Sequence, residues 1–198
     1  MSESLIKKIL GNHSIPRPDW IEGYSEDEIT KLELIFDISI TGDLKCFFKE
    51  IGRCLGGILG DDSLIPYRDH WLHQQHLDFQ NACRDDLIEI GCSDYVGLGE
   101  FFFSRESDGC FDYFVRTKSD KPDLVYEVYD DRVRRTDKSF IEHVTALVQS
   151  EANYLQRVRR FGTQEYIRAM SYKESWSKES WYNLMGKKHI RFRGNMLP

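Results

Sequence analysis

The sequence predicts an α+β fold, because a run of helical patterns is followed by a run of strand patterns and then by one more helix. The strand patterns are short and aromatic, and together with the closing helix they occupy residues 94–148. Turn-forming residues at 107–109 and 120–123 separate the strands, so consecutive strands are expected to pair antiparallel. A chain of 198 residues suffices for one well-cored domain with an appended segment.

Three helices are predicted ahead of the strands, besides a shorter one over residues 2–10. Ser25 and Glu28 have the spacing of a capping box, so the first helix should begin after Ser25. The second should open at Gly42, and the third should run from about residue 70 to residue 90. The apolar face of the first helix consists of Ile29, Leu32 and Ile35 or Phe36, and that of the second consists of Leu44, Phe47, Phe48 and Ile51. The apolar face of the third helix consists of Leu72, His76, Phe79, Cys83, Leu87 and Ile90.

Four strands and a closing helix are predicted in the second half of the chain. The closing helix should be capped by Thr136 or Asp137, and its apolar stripe begins with Phe140 and Val144. A further strand is expected earlier, around Leu64–Tyr67. The four main strand candidates are Gly99–Arg105, Phe111–Thr117, Leu124–Tyr129 and Arg132–Arg135.

Charge is divided unevenly along the chain. Residues 1–150 hold 17 Lys and Arg against 29 Asp and Glu, a net −12, whereas residues 151–198 hold 10 against 4, a net +6. Residues 161–198 also carry aromatic side chains such as Trp176 and Trp181, and we expect this basic extension to dock on the acidic domain formed by residues 1–160. Binding of the extension to nucleic acid or to an acidic partner protein is the alternative.

The sequence favours a cytoplasmic location. Its first residues lack an apolar run of signal-peptide length, and no later segment approaches the roughly 18 apolar residues that a membrane span requires. The five cysteines are scattered without a C-x-x-C pair, which favours reduced thiols, most of them in the core. A membrane is therefore not an expected partner.

The sequence contains no recognisable catalytic or metal-binding constellation. His70, His73 and His76 recur at helical spacing, but no cysteine or carboxylate pair completes a ligand set, so a structural role is favoured. The glycine-rich segment 52–60 lacks the Lys-Ser/Thr of a phosphate loop. We therefore expect no catalytic residue, metal or other cofactor, and an enzyme is the least favoured functional class.

Acidic pairs and aromatic residues each have a structural and a functional interpretation. The aspartate pairs 61–62, 85–86 and 130–131 are most simply turn or solvated residues, and contact with a cationic partner is the second interpretation. The aromatic residues from Phe101 to Tyr129 are interpreted as core and sheet packing. A nucleic-acid stacking platform is disfavoured, because the acidic surroundings oppose phosphate.

Four motifs follow one another along residues 25–150. An acidic-apolar I-x-x-L-E run covers Ile29 to Glu33, Gly56-Gly57 leads to Asp61-Asp62, and a closing-helix motif covers Ser139 to Val144. The second helix matches I-x-x-D-L-K-x-F-F-x-x-x-G through Ile40, Asp43, Leu44, Lys45, Phe47, Phe48 and Gly52. In these motifs the chain resembles the SUKH superfamily. It departs from the family where Thr41 stands in place of a frequent proline, and where an Asn-Gly-Gly phrase is reduced to Gly56-Gly57.

The resemblance implies a SUKH-like α+β domain over residues 1–160, with a largely antiparallel sheet of about four to six strands flanked by helices. In bacteria such domains commonly act as immunity proteins, which bind a cognate toxin domain and neutralise it. The toxin is often a nuclease or a nucleic-acid-modifying enzyme. A SUKH-type scaffold or regulatory protein-binding module is the alternative that the resemblance leaves open.

A basic toxin domain is accordingly the expected partner. A nuclease attracts phosphate with a basic face, which an acidic inhibitor surface complements, whereas nucleic acid itself is not an expected partner of the acidic domain. Acidic residues in turns or at strand ends are the candidate contacts, because their side chains are expected to reach outward: Asp61, Asp62, Glu100, Asp130 and Asp131.

Overall fold

The computed structural model describes residues 5–11, 19, 21–55, 64, 73–106 and 111–160. The predictions for Asp61, Asp62, His70 and the extension 161–198 lie outside the described residues, as does the strand around Leu64–Tyr67 apart from Leu64 itself, which is buried. The helices are α1 (Leu5–Leu10), α2 (Glu26–Phe36), α3 (Gly42–Ile51), α4 (His73–Glu89) and α5 (Phe140–Arg160). The strands are β1 (Ile21–Glu22), β2 (Cys54–Leu55), β3 (Glu100–Glu106), β4 (Phe111–Arg116), β5 (Leu124–Tyr129) and β6 (Arg132–Ser139).

The predicted α+β class is confirmed. Strands β3 to β6 form a sheet in the order β3-β4-β5-β6, and every neighbouring pair is antiparallel. Strands β1 and β2 form a separate antiparallel pair. The sheet is a meander of consecutive strands, as the short polar turns between them predict.

The two faces of the β3–β6 sheet carry two separate groups of buried side chains, because successive residues of a strand point to opposite faces. One face, here called the closed face, presents Phe101, Phe103, Val115 and Val125 to buried residues of α1, α2, α3 and α5. The opposite face, here called the open face, carries Phe102, Phe114 and Tyr126, which pack against Cys83 and Leu87 of α4. The described elements therefore form three layers, with the sheet in the middle.

Aromatic side chains fill the centre of the closed face. The ring of Phe140 in α5 lies 5.1 Å from that of Phe47 in α3 and 4.9 Å from that of Phe103 in β3, measured between ring centroids. Phe48 lies 5.8 Å from Phe101. These edge-on and tilted contacts tie two helices to the sheet, and each ring is almost completely withdrawn from water.

The predicted cap of the closing helix is wrong. Strand β6 continues to Ser139, and Ser139 caps α5 through a reciprocal pair of hydrogen bonds. Its backbone N–H donates to Glu142 Oε2 at 2.7 Å, and the Glu142 N–H donates to Ser139 Oγ at 3.3 Å. Thr136 instead donates its hydroxyl to the carbonyl of Val125 at 2.8 Å, which keeps this part of the chain on the sheet.

The earlier helices begin and end close to the predicted positions. Ser25 and Glu28 form the expected capping box at the start of α2. Thr41 makes no side-chain cap at α3, and the carboxylate of Asp123 lies beside the first residue of this helix. Gly42 has a φ of 54°, and a Cβ at this position would lie 2.9 Å from Asp123 Oδ2. No helix among the described residues is long and apolar enough to cross a membrane.

Candidate partner-binding cleft

A cleft of about 400 Å³ opens between α4 and the open face of the sheet. Its lining includes Ile90, which follows α4, together with Phe102 of β3 and Val128 of β5. The floor is rigid, because Phe102 stacks on Phe114 at 4.8 Å and both rings are buried. The cleft exists because α4 covers the sheet near β3 and leaves the ends of β4 and β5 next to Asp130 less covered.

An ion pair between Arg105 and Asp112 lines the cleft. Arg105 donates from Nε to Asp112 Oδ1 at 2.5 Å and from Nη2 to Oδ2 at 2.7 Å, a bidentate arrangement. Its guanidinium also lies over the ring of Phe79 in α4, 4.7 Å from the centroid. The hydrogen bonds to Asp112 raise the pKa of Arg105. The pair is thus fixed on two sides, and it neutralises one carboxylate of the cleft.

A β-bulge is responsible for the position of Arg105. The register between β3 and β4 shifts after Phe102, so that Phe103 and Ser104 together oppose Tyr113 and Arg105 then pairs with Asp112. In a regular strand Arg105 would point to the face opposite to that of Phe102. The extra residue moves it onto the open face, where both side chains line the cleft.

Three further carboxylates line the cleft from two sides. Asp86 and Glu89 lie three residues apart on α4, where they share one helix face. Asp130 stands on the other side, in the two-residue turn between β5 and β6. All three residues are exposed, and no ion pair joins them to another residue of the described chain. With Asp112 and Arg105 included, the cleft carries four carboxylates and one guanidinium, a formal net charge of −3.

The turn fixes the position of Asp130. Its φ is 53°, in the left-handed region that aspartate tolerates better than most non-glycine residues. The neighbouring Asp131 is also exposed, but it pairs with Arg132 at 3.4 Å and does not line the cleft. Of the two predicted acids in this turn, Asp130 therefore belongs to the cleft and Asp131 lies beside it.

The prediction that Glu100 reaches outward is wrong. Glu100 is only 2% exposed. Its carboxylate accepts the N–H of Leu98 at 2.6 Å and lies 3.6 Å from Arg84 Nε. A strand end predicts exposure only when no helix covers it, and here Arg84 of α4 packs over the start of β3. Glu100 therefore helps to attach α4 to the sheet.

Sequence reasoning missed the remaining charged residues of the cleft. Asp86 was recognisable only as part of an aspartate pair, and Glu89 had no distinguishing signal. The pairing of Arg105 with Asp112 depends on the bulge, so a regular alternation assigns the two residues to the wrong relative register. The alternation of Phe111, Tyr113 and Val115 along β4 is a sequence signal that places Asp112 on the opposite face.

The chemistry of the cleft favours binding through charge. Burial, followed by the negative charge of Asp112, raises the pKa of the Cys83 thiol, so this cysteine stays protonated at neutral pH.

The part of the chain that the structure describes contains no group of three or more His, Cys, Asp and Glu residues that could hold a metal ion. His76, from the predicted histidine series, is buried in α4.

Comparison of the chain with models of known protein families, with curated proteins and with solved structures found no match.

Proposed function

We infer that this protein is a SUKH-like immunity protein, which binds a basic toxin domain one to one in the cytoplasm and blocks its activity. The observation that carries the proposal is the acidic cleft. It combines a rigid floor, one ion pair already formed, and three exposed carboxylates held by two different elements. A fixed arrangement of like charges around a concave surface complements a protruding basic group of a partner.

The charge of the whole domain supports the same partner chemistry. Residues 1–150 carry a net −12, which attracts cationic proteins over a distance of about one Debye length, roughly 8 Å at physiological ionic strength. A toxin that acts on nucleic acid needs a basic face to bind phosphate. An inhibitor that covers this face would exclude the substrate without doing any chemistry itself.

The proposal predicts a toxin gene next to this one, and the toxin domain that it encodes is used for the test. Co-expression should protect cells from the toxin domain, and titration in vitro should abolish the toxin's activity at a one-to-one ratio. Association should slow steeply as salt is raised, because steering between opposite charges is screened. Charge reversal of Asp130 should slow association more than it speeds dissociation.

Two results would contradict the proposal in different ways. If the toxin domain binds but keeps its activity, the scaffold or regulatory module becomes the better interpretation. If association is equally fast at low and high salt, the electrostatic basis of the proposal is wrong.

A further inference from the structure

The cleft matches one long cationic side chain in both shape and polarity. Lysine and arginine carry an aliphatic stem and a charged head, so they fit sites that are apolar along one part and acidic along another. Ile90 and Val128 supply apolar lining, while Asp86, Glu89 and Asp130 supply carboxylates. A volume of about 400 Å³ lies at the lower end of the range for small-ligand pockets and admits one such side chain rather than a folded loop.

The negative field inside the cleft acts on neighbouring groups. Burial is the main cause of the raised pKa of the Cys83 thiol, the charges of Asp112 and Asp86 add to it, and Arg105 and Arg84 oppose it. Arg105 itself is already held by two hydrogen bonds to Asp112 and therefore leaves the other three carboxylates unneutralised. A single added positive charge would reduce the repulsion among these three.

The chain binds its own guanidinium groups in a similar way. Arg105 lies over Phe79 while Asp112 accepts its hydrogen bonds. Arg53 lies 4.1 Å from the ring centroid of Tyr24 and pairs with Glu28. In both cases a cation is held between an aromatic ring and a carboxylate, and the cleft also combines aromatic side chains, those of Phe102 and Tyr129, with carboxylates.

We propose that the cleft is the binding site for one lysine or arginine side chain of the basic partner, whose stem packs on Ile90 and Val128 and whose charged head lies between Asp86, Glu89 and Asp130. This inference rests on the proposed function and adds to it the part of the partner that is recognised. The occupant follows from charge complementarity, because the cleft has a formal net charge of −3.

The site is tested without the toxin, by titrating the full-length ¹⁵N-labelled protein with short blocked peptides. Three glycine-flanked peptides are compared, with a central lysine, arginine or norleucine. The lysine and arginine peptides should shift the amide signals of residues 86–90, 102–105, 112 and 128–130, with a Kd below about 10 mM. The norleucine peptide, which has the stem without the charge, should leave these signals unchanged.

Adjacent aspartates supply a matched control for net charge. Asp86→Asn with Asp130→Asn removes two carboxylates that line the cleft, whereas Asp85→Asn with Asp131→Asn removes the same charge from their exposed neighbours. The first pair should weaken binding of the cationic peptides at least about fivefold, and the second should change it less than about twofold.

The inference is overturned if the cationic peptides do not shift the amide signals of the cleft residues. This holds for an empty cleft and equally for a cleft that is occupied by the chain's own basic C-terminal residues. It is also overturned if the norleucine peptide binds as well, or if both variant pairs weaken binding equally. If the peptide test fails but the protein still neutralises the toxin, the proposed function stands and the toxin is bound at another surface.

Discussion

The two faces of the β3–β6 sheet differ in how helices are attached to them. On the closed face, α3 and α5 are held by aromatic packing, with the ring of Phe140 in contact with those of Phe47 and Phe103. On the open face, α4 is held partly by hydrogen bonds from Gln80 and Arg84 to the backbone of β3. The contacts of α3 and α5 with the closed face are mainly apolar, although His143 is buried among them, whereas a helix attached partly through polar groups can stand next to a cleft. We therefore expect stability to depend mainly on the closed face, and we propose binding at the open face.

Removal of a large ring from the closed face should have the largest effect on stability. Phe140→Ala is expected to lower the free energy of unfolding by about 3–5 kcal/mol, because it leaves a cavity between two helices and the sheet. Val128→Ala, on the half-buried wall of the cleft, should cost less than about 1.5 kcal/mol. Urea unfolding of both variants measures the difference, and similar losses for the two would contradict the comparison.

Gln80 should be the main polar attachment of α4. It is 1% exposed, donates from Nε2 to the Phe102 carbonyl at 2.6 Å and accepts the Phe102 N–H at 2.8 Å. The Gln80 side chain thus pairs with backbone groups on the outer edge of β3, as a neighbouring strand would. Gln80→Leu leaves both backbone groups unpaired, so a loss of about 2 kcal/mol is expected.

The exposed Gln74 on the same helix provides the control for Gln80. Gln74→Leu should change stability by less than about 0.5 kcal/mol. Hydrogen exchange at the Phe102 amide should accelerate in Gln80→Leu and stay unchanged in Gln74→Leu. Unchanged exchange in both variants would show that α4 is held by packing alone.

The closed face also contains an acid-sensitive histidine. His143 of α5 is buried, with its ring 4.4 Å from that of Tyr113 and 5.4 Å from that of Phe103. Its pKa is lowered from 6.5 to about 4, mainly by burial and also by the positive charge of Lys138, while Glu127 opposes the shift. Because the folded state binds this proton less readily than the unfolded state, the stability that neutral His143 contributes is complete above pH 6.5. It is lost as the pH falls towards 4.

His143→Leu should remove this dependence on pH. Between pH 7 and pH 5 the unaltered protein should lose about 2 kcal/mol through this histidine, a range in which carboxylates of the unfolded chain stay mostly ionised. The free energy of unfolding of the leucine variant should therefore fall by about 2 kcal/mol less over the same range. An equal slope for both proteins would mean that other groups cause the acid sensitivity.

Local patterns predicted most of the fold, and tertiary contacts determined what they missed. The capping box at Ser25, the apolar stripe of α3 and the antiparallel order of β3 to β6 depend on residues near one another in sequence, so they were predicted correctly. The bulge at Phe103 has no comparable local signal. The burial of Glu100 depends on Arg84, which belongs to another element.

The same division applies to the cleft. Asp130 was predicted because a turn between two strands favours exposed aspartate. Asp86, Glu89 and Asp112 come together only through the packing of α4 on the sheet and the shifted register of β3. Sequence patterns predict the helix and strands that carry these residues. They do not predict that the residues meet in one cleft, because that depends on how three elements are placed relative to one another.

The central claim is that the acidic cleft on the open face binds the partner, and inhibition of the expected toxin domain by the matched variants tests it most directly. Both variant pairs should keep the free energy of unfolding within about 0.5 kcal/mol of the unaltered protein, because all four aspartates are exposed. Asp86→Asn with Asp130→Asn should raise the inhibition constant at least about tenfold, a loss of about 1.4 kcal/mol. Asp85→Asn with Asp131→Asn should raise it less than about threefold. Equal inhibition constants for the two pairs would contradict the account, because the effect would then follow net charge and not the cleft.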